Sequence, residues 1–406
     1  MILMKKNNRE IDFIFPEKFS LDDFKDISSK EPFNDESINF LDVLSKELLN
    51  SGEAKIFPDV ITFAFYCRKA NLKKLKEKYN DKNHLRLGIG VVFHIAPSNV
   101  PVNFAYSLIC GILSGNKNVV RVPSKSFDQI KVIVNAIKKI SKQSIFNSFS
   151  KSIILVRYDH KVNYSEYFSS LCDVRIIWGG DETISNVRKN TIPARSFDIT
   201  FADRYSLCII NSKNFLKQKK YKHVAQGFYN DTYLFDQNAC TAPHLIVWTG
   251  NDNEIFKAKK IFWKNLHDIV KTQHHVQPVI AVDKLTSFYN SAINLEKIKK
   301  EDSKDNLLWN VRLDSLDKDI EKYKCNSGFF SEYNAKSINE LSTIVNRKYQ
   351  TLAYYGIEKS ELIDFIKKIR PKGIDRIVPI GKTLDFSLTW DGYNLIDMLS
   401  RKIDIV

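Results

Sequence analysis

The 406-residue sequence contains no C-x-x-C pair and no group of cysteines and histidines at zinc-ligand spacing. Its six cysteines (Cys67, Cys110, Cys172, Cys208, Cys240 and Cys325) are scattered singly. That pattern argues against a disulfide framework and a thiolate metal site, and it points to a reducing compartment, the cytoplasm. No apolar run is long enough to span a bilayer, which takes about 20 uninterrupted apolar residues. The most apolar stretch, Leu87 to Leu113, is broken by Gly88, Gly90, Pro97, Ser98, Asn99, Pro101 and Asn103, and reads as a buried strand, a turn and a buried helix. Met1 to Glu10 is charged and lacks an apolar core, so no signal peptide is expected. Internal repeats and low-complexity linkers are missing as well.

Hydrophobic residues at 43% and charged residues at 27% are a globular composition. The length is too great for one ordinary core and suits two domains. A formal net charge of +15 attracts anions, whether nucleic acid, anionic membrane or a phosphate-bearing cofactor. The lysines are spread along the chain. The runs Lys73-Lys74, Lys217-Gln218-Lys219-Lys220 and Lys297 to Lys300 fall in helix-like polar segments, the signature of a solvated surface rather than a nucleic-acid stripe.

From residue 85 apolar strands alternate with amphipathic helices. Leu87–Ile95, Asn118–Val122, Ile153–Arg157 and Val174–Trp178 read as strands; Val102–Ser114 and Ser126–Ile140 read as helices. This alternation predicts an α/β fold with a doubly wound, mainly parallel sheet, whose phosphate ligands sit at the carboxyl ends of the strands. Helices are expected over Ile38–Leu49 and Val60–Lys78. A second β-α series starts near Ser206, with helices near Asn253–Ile269 and Val282–Lys300 and a strand-helix-strand pattern from Thr351 to Ile380.

Four segments carry candidate chemistry. In Gly88-Ile-Gly-Val-Val-Phe-His-Ile-Ala-Pro-Ser-Asn-Val-Pro101, two prolines stiffen a loop that presents Asn99, and a rigidly held amide suits an oxyanion. Gly115-Asn-Lys-Asn-Val-Val-Arg-Val-Pro-Ser-Lys125 closes a helix, adds a short strand and ends in a Pro-Ser turn. In Ile176-Ile-Trp-Gly-Gly-Asp-Glu-Thr-Ile184 a strand ends on Gly179 and Gly180 ahead of a helix, with Asp181 as its expected N-cap; glycines there permit close approach of a pyrophosphate to a helix N-terminus. Asp236-Gln-Asn-Ala-Cys-Thr-Ala-Pro-His244 sets Cys240 in a polar flank unlike that of a core cysteine.

Pro97-Ser98-Asn99-Val100-Pro101, Gly115-Asn116 and Val122-Pro123-Ser124-Lys125 resemble, in order and spacing, the Pro-Trp-Asn-Phe-Pro loop, Gly-Asn turn and Lys-Pro-Ser-Glu turn of aldehyde dehydrogenases. Gly179 matches the Gly of that superfamily's Phe-Thr-Gly-Ser turn, and Gly180 stands at its Ser. Cys240 matches the nucleophile of its Gln-x-Cys segment, one residue further from Gln237. With Trp178-Gly-Gly-Asp181, the Cys240 segment and the tail Gly373 to Tyr393 that carries Trp390-Asp391-Gly392, the chain resembles the acyl-CoA reductase (LuxC-type) family. That family is best known for the fatty acid reductase of bacterial luminescence.

The resemblance implies a Rossmann-type cofactor domain over residues 1–206 and an α/β catalytic domain over 207–406, the C-terminal tail being free to return to the first. It implies Cys240 and Asn99 as catalytic residues, and Arg121, Ser124, Lys125, Gly179 and Gly180 around a nicotinamide cofactor. Lys125 replaces the Glu that binds adenosine ribose hydroxyls, which favours the 2′-phosphate of NADPH. In hydrolytic relatives a general-base Glu opens a Glu-Leu-Gly-Gly-Lys-Ser strand. The matching stretch here is Phe201-Ala-Asp-Arg-Tyr-Ser206, with Phe201 at the Glu position and Asp203 two positions off. Without that base an acyl-enzyme is reduced to aldehyde rather than hydrolysed. The implied substrate is a fatty acyl-CoA or acyl-protein thioester, with an acyl-protein synthetase partner and a homo-oligomeric state. The alternatives are an aldehyde-oxidising dehydrogenase and a non-catalytic acyl-carrier or scaffold subunit.

Overall fold

Residues Val91–Ile95 are buried at all five positions, as are Val174–Trp178, so these strands need apolar residues on both faces and form the centre of a parallel sheet. The structure, a computed structural model, describes residues 11–16, 24, 28–81, 83–159, 164–301, 303 and 305–405. The expectation for Met1 to Glu10 lies outside the described residues. The chain divides into two units, 1–202 with 387–406, and 203–386.

The first unit holds strands β1 (Ile11–Phe15), β2 (Leu85–Gly88), β3 (Val91–Ile95), β4 (Lys117–Arg121), β5 (Ile153–Tyr158), β6 (Val174–Trp178) and β7 (Phe197–Phe201). Its helices are α1 (Asp35–Asn50), α2 (Pro58–Tyr66), α3 (Lys69–Tyr79), α4 (Asn103–Leu113), α5 (Asp128–Ile140), α6 (Asn147–Ser152), α7 (Tyr164–Leu171) and α8 (Asp181–Arg188). The main sheet runs β1-β5-β4-β3-β6-β7, parallel except for the antiparallel edge strand β1. Helix α5 buries one stripe, Ile130, Ile133, Val134, Ile137 and Ile140, at 3.6-residue spacing. Asn34 caps α1 by accepting from the Ser37 N–H. The helix expected over Val60–Lys78 is two helices, because the chain turns at Cys67 and extends at Arg68. Leu87–Ile95 is likewise two strands, parted at Gly90, whose φ of 139° suits only glycine.

The second unit holds β8 (Tyr205–Asn211), α9 (Ser212–Gln218), α10 (Tyr221–Thr232), β9 (Pro243–Thr249), α11 (Asp252–Gln273), α12 (Ile280–Asn294), β10 (Ile298–Lys300), β11 (Trp309–Leu313), β12 (Phe329–Ala335), β13 (Tyr349–Tyr355), α13 (Lys359–Ile369) and β14 (Arg376–Pro379). Its sheet runs β10-β11-β12-β9-β8-β13-β14, parallel except at β10. Alternation divides the core between the two faces. Leu207, Ile209, Leu245 and Val247 pack into one cluster; Cys208, Ile210, Ile246 and Trp248 pack into the other. A capping box between Asn251 and Glu254 starts α11. The run Lys297 to Lys300 is not helical: α12 ends at Asn294, Lys297 is left-handed, and Ile298–Lys300 is an edge strand.

The tail, 387–406, belongs to the first unit. It forms a small hairpin, β15 (Thr389–Trp390) with β16 (Tyr393–Asn394), then the short helix α14 (Leu395–Met398) and β17 (Ser400–Ile403), which pairs with β2. Asp391 and Gly392, with φ of 47° and 79°, make the two-residue turn of the hairpin, the geometry that Asp-Gly favours. The Trp-Asp-Gly signature is therefore a turn.

Candidate active site

In the first unit the chain proceeds from β3 outward to β4 and β5, then crosses back to β6 and β7 on the other side of β3. The β3–β6 junction is the switch point of the sheet, where dinucleotides bind in doubly wound folds. Asn99 lies in the exposed loop after β3, and Gly179-Gly180 follows β6. Ser124 and Lys125 are exposed in the turn after β4, the Lys125 ammonium resting 5.1 Å from the Phe127 ring centroid. Thus the carboxyl ends of three neighbouring strands carry all six residues singled out here, Arg121 being the last residue of β4.

Arg121 differs from the others in being buried. Its guanidinium lies 4.9 Å from the Tyr158 ring centroid and donates to the Tyr158 carbonyl. Burial pushes its pKa down, while Tyr158 and Asp159 work the other way.

The two glycines have distinct roles. A Cβ on Gly179 would come within 3.0 Å of Thr183, and the Gly179 N–H donates to the Phe201 carbonyl. Gly180 is the N-cap of α8, in place of Asp181, which is the first helical residue. A Cβ on Gly180 would meet no described atom within 4 Å, so open space lies against its backbone at the helix start. Room there, the helix N-terminus and the switch point fit the pyrophosphate of a dinucleotide.

A buried polar chain supports this end of the sheet. Trp178 Nε1 donates to Ser107 Oγ at 3.0 Å, Ser107 Oγ lies 2.8 Å from His94 Nδ1, and His94 Nε2 lies 3.1 Å from Asn118 Oδ1. Asn118 Nδ2 donates to the Asn116 carbonyl, so its Oδ1 accepts and the His94 proton sits on Nε2. Burial lowers the His94 pKa to about 4, leaving the ring neutral. The chain joins α4, β3, β4 and β6.

Phe201 ends β7, buried and stacked on Trp178 with centroids 3.8 Å apart, and Tyr393 of the hairpin meets it edge-on. The stretch Phe201–Ser206 is not one strand. Residues 202–204 separate β7 from β8, which belong to different sheets. Asp203, the other carboxylate near this position, is held by Lys324 at 2.8 Å.

In the second unit Cys240 sits in the loop before β9. Asp236 and Gln237 are both left-handed, with φ of 50° and 61°, an arrangement that persists only where its surroundings enforce it. The enforcement is visible. Buried Gln237 accepts from the Gly328 and Phe329 N–H groups through Oε1, and donates through Nε2 to the Pro243 and Phe329 carbonyls. Asn326 donates to Asn238, and the Ser327 N–H to the Asp236 carbonyl. Ser206 Oγ donates to the Cys240 carbonyl at 2.6 Å and accepts from the Thr351 N–H. Cys240 is thereby pinned to β8, β12 and β13.

Cys67, Cys110, Cys172 and Cys208 are buried, and burial raises their thiol pKa values, that of Cys172 to about 12. Cys240 and Cys325 are only partly buried. Accessibility therefore singles out two thiols, and the pinned loop distinguishes Cys240. His244, four residues on, is buried against Tyr205, hydrogen-bonds the Cys325 carbonyl and has a pKa lowered to about 3 by burial. Among the described residues no group of three His, Cys, Asp or Glu is placed to hold a metal, and no helix is long and apolar enough to cross a membrane.

Sequence reasoning named Gln237 but not its four hydrogen bonds, and passed over Ser206, Asp231 and Arg376. Asp231 is buried in α10, where its carboxylate accepts from the Gly381 and Thr383 N–H groups. Arg376 donates to the carbonyls of Lys382, Thr383 and Asp385. Its one signal was its place in the Gly373–Tyr393 segment.

Known proteins resemble this chain at two levels. The long-chain acyl-protein thioester reductase of Aliivibrio fischeri is 25% identical over 167 residues, 41% of this chain and 33% of that protein. Its Vibrio harveyi counterpart is 25% identical over 183 residues, 45% and 36%. These matches span about a third of each relative's length. Among solved structures, the glyceraldehyde-3-phosphate dehydrogenase GapN of Methanocaldococcus jannaschii, complexed with NADP, superposes with a TM-score of 0.64 at 13% identity, covering 94% of this chain and 90% of that one. A lactaldehyde dehydrogenase superposes with a TM-score of 0.64 at 8% identity, covering 91% and 85%. At such identities these structures establish the aldehyde-dehydrogenase fold. The acyl-CoA reductase (LuxC) family matches residues 17–401, nearly the whole chain, and the protein belongs to that family.

Proposed function

We propose that this protein reduces a long-chain acyl thioester to the aldehyde through an acyl-enzyme on Cys240, with NADPH as reductant. The observation that carries the reading is the pinned loop, which holds one partly buried thiol of a LuxC-family chain in a strained, four-fold bonded setting. The Cys240 thiolate attacks the acyl carbon, the donor thiol departs, and Cys240 holds the acyl group as a thioester. Asn99 and a backbone N–H near Cys240 serve the oxyanion, each donor being typically worth ~3 to 4 kcal/mol. NADPH, when bound, supplies a hydride to the acyl carbon. Aldehyde then leaves and Cys240 is restored as a thiolate. Gly179 and Gly180 would take the pyrophosphate, with Ser124, Lys125 and Arg121 toward the adenosine 2′-phosphate.

Phe201 supports reduction over hydrolysis, since an aromatic ring stacked on Trp178 offers no base for an attacking water. The acyl donor is a fatty acyl-CoA or an acyl-protein delivered by a synthetase partner, in a luminescence or lipid pathway. We place the enzyme in the cytoplasm as a homo-oligomer.

The test is covalent labelling. Incubated with radiolabelled fatty acyl-CoA and no NADPH, the wild type should retain label and Cys240→Ala should not. NADPH should then release the label as aldehyde. Equal labelling of both proteins would remove Cys240 from the mechanism, and release mainly as free acid would restore a hydrolytic base.

A further inference from the structure

A parallel sheet places residues of successive strands on common rungs. Thr351 of β13 pairs in register with Arg376 of β14, and the Thr351 N–H donates to Ser206 Oγ of β8. Ser206 in turn donates to the Cys240 carbonyl. The backbone at Arg376 therefore stands two strand spacings from Ser206, roughly 10 Å, on the rung that pins Cys240.

The Arg376 side chain is fixed. It donates to the carbonyls of Lys382, Thr383 and Asp385, the last two through separate nitrogens. That turn is fixed in its own right. Its Gly381 and Thr383 N–H groups bind Asp231, and Gly381, with φ of 89°, abuts Gly227 so closely that a Cβ on Gly381 would come within 3.1 Å of the Gly227 Cα. A half-buried cation is thus locked on the rung that pins the nucleophile loop, and its charge couples to Cys240.

We infer that Arg376 is a positioning residue for Cys240, its immobilised guanidinium holding the sulfur as a thiolate at neutral pH, and that the Asp231-bound turn exists to keep that charge in place. The S–H proton passes to solvent before acylation, and the cation stabilises the charge left behind. Asp231 and Asp385 also face Arg376 and draw on the same charge. Further charged groups around the two loops are engaged: Lys324 with Asp203, Arg204 with Asp375, Lys382 with Asp385, and His274 with Asp236. The inference rests on the reading of Cys240 as nucleophile, but its test reads ionisation, not acylation.

Alkylation of Cys240 by iodoacetamide, followed across pH by peptide mass spectrometry on the full-length chain, reports the thiolate fraction. Cys325, also partly buried, is the internal reference in each digest. In the wild type the Cys240 midpoint should fall clearly below the ordinary thiol value of about 8.5. Arg376→Gln should raise it by about one unit, a roughly tenfold slower reaction at neutral pH. Arg376→Lys should restore most of the shift. The Cys325 profile should stay where it is in all three proteins. A wild-type midpoint at or above the ordinary thiol value overturns the inference without any variant. So does a Gln variant with an unmoved midpoint, a shift that Cys325 shares, or one that Lys fails to rescue. Should acyl-CoA fail to label Cys240 while its alkylation midpoint is low and depends on Arg376, the functional reading falls and this one stands.

Discussion

Asp231 is a buried carboxylate whose titration the fold alters strongly. Burial raises its pKa to about 7, against the N–H groups of Gly381 and Thr383, which pull it down. In the unfolded chain it ionises near pH 4. Between about pH 4 and about pH 7 the folded state therefore holds a proton that the unfolded state has lost, and stability falls as pH rises. Above pH 7 the full cost is present. His94 and His244 act with the opposite sign. Their pKa values are lowered to about 4 and about 3, so the unfolded chain binds the protons and stability rises with pH until about 6.5. The two effects separate in a difference. The stability of wild type minus that of Asp231→Asn, from urea unfolding, should decline between about pH 5 and about pH 8 by on the order of 2 to 3 kcal/mol. A difference that is flat across this range would show that Asp231 keeps an ordinary pKa. Lys125 poses a question of ligand rather than stability. It is exposed after β4, its ammonium over the Phe127 ring. Lys125→Glu should leave folding intact and weaken NADPH by about 1.5 to 3 kcal/mol, with NADH barely changed. Steady-state kinetics with both cofactors check this, and an unaltered preference would remove Lys125 from the cofactor site.

At the scale of elements, the Cys240 loop is held from the side-chain end of Gln237. Gln237→Ala would leave the Gly328 and Phe329 N–H groups and the Pro243 carbonyl without their partner, and should destabilise the second unit by on the order of 3 kcal/mol. Urea unfolding measures this; a loss below about 1 kcal/mol would mean that water replaces the amide. Sequence reasoning could find this loop but not its fastenings. The strands β3, β4 and β6 were legible because a strand covered on both faces is mainly apolar, His94, Asn118 and Arg175 being buried polar exceptions. Helix α5 was legible because one covered face leaves a 3.6-residue stripe. Strand β1 was not seen: Ile-Asp-Phe-Ile-Phe is short and stands in a charged context. The break between α2 and α3 falls at Cys67-Arg68, with no Gly or Pro to announce it. Lys297 to Lys300 looked helical because charge alone does not distinguish a helix face from an edge strand. The long-range contacts were the least legible. Nothing local to Gln237, Ser206 or Arg376 says that three strands far apart in sequence will bring them to one loop.

At the scale of the molecule, the first unit is discontinuous. Its last strand, β17, pairs with β2, and Asn116 Nδ2 and the Ile89 N–H both donate to the Leu399 carbonyl. Arg86 further ties β2 to Ser400. Ending the chain at Phe386 would strip these bonds and the Tyr393 ring that meets Phe201. The first unit should then lose its cooperative melting transition, while the second, 203–386, keeps its own. Calorimetry would show one transition where the full chain has more, or a single shared loss if the units do not melt separately, which would contradict this. The same discontinuity orders events during synthesis. Residues 1–202 leave the ribosome well before their closing strand exists, and roughly 180 residues of the other unit come between. At about 5 to 20 residues per second that interval is on the order of ten to forty seconds. Throughout it β2 lacks its partner strand β17, and the half bearing Cys240 is complete before the half bearing Gly179 and Gly180 can close.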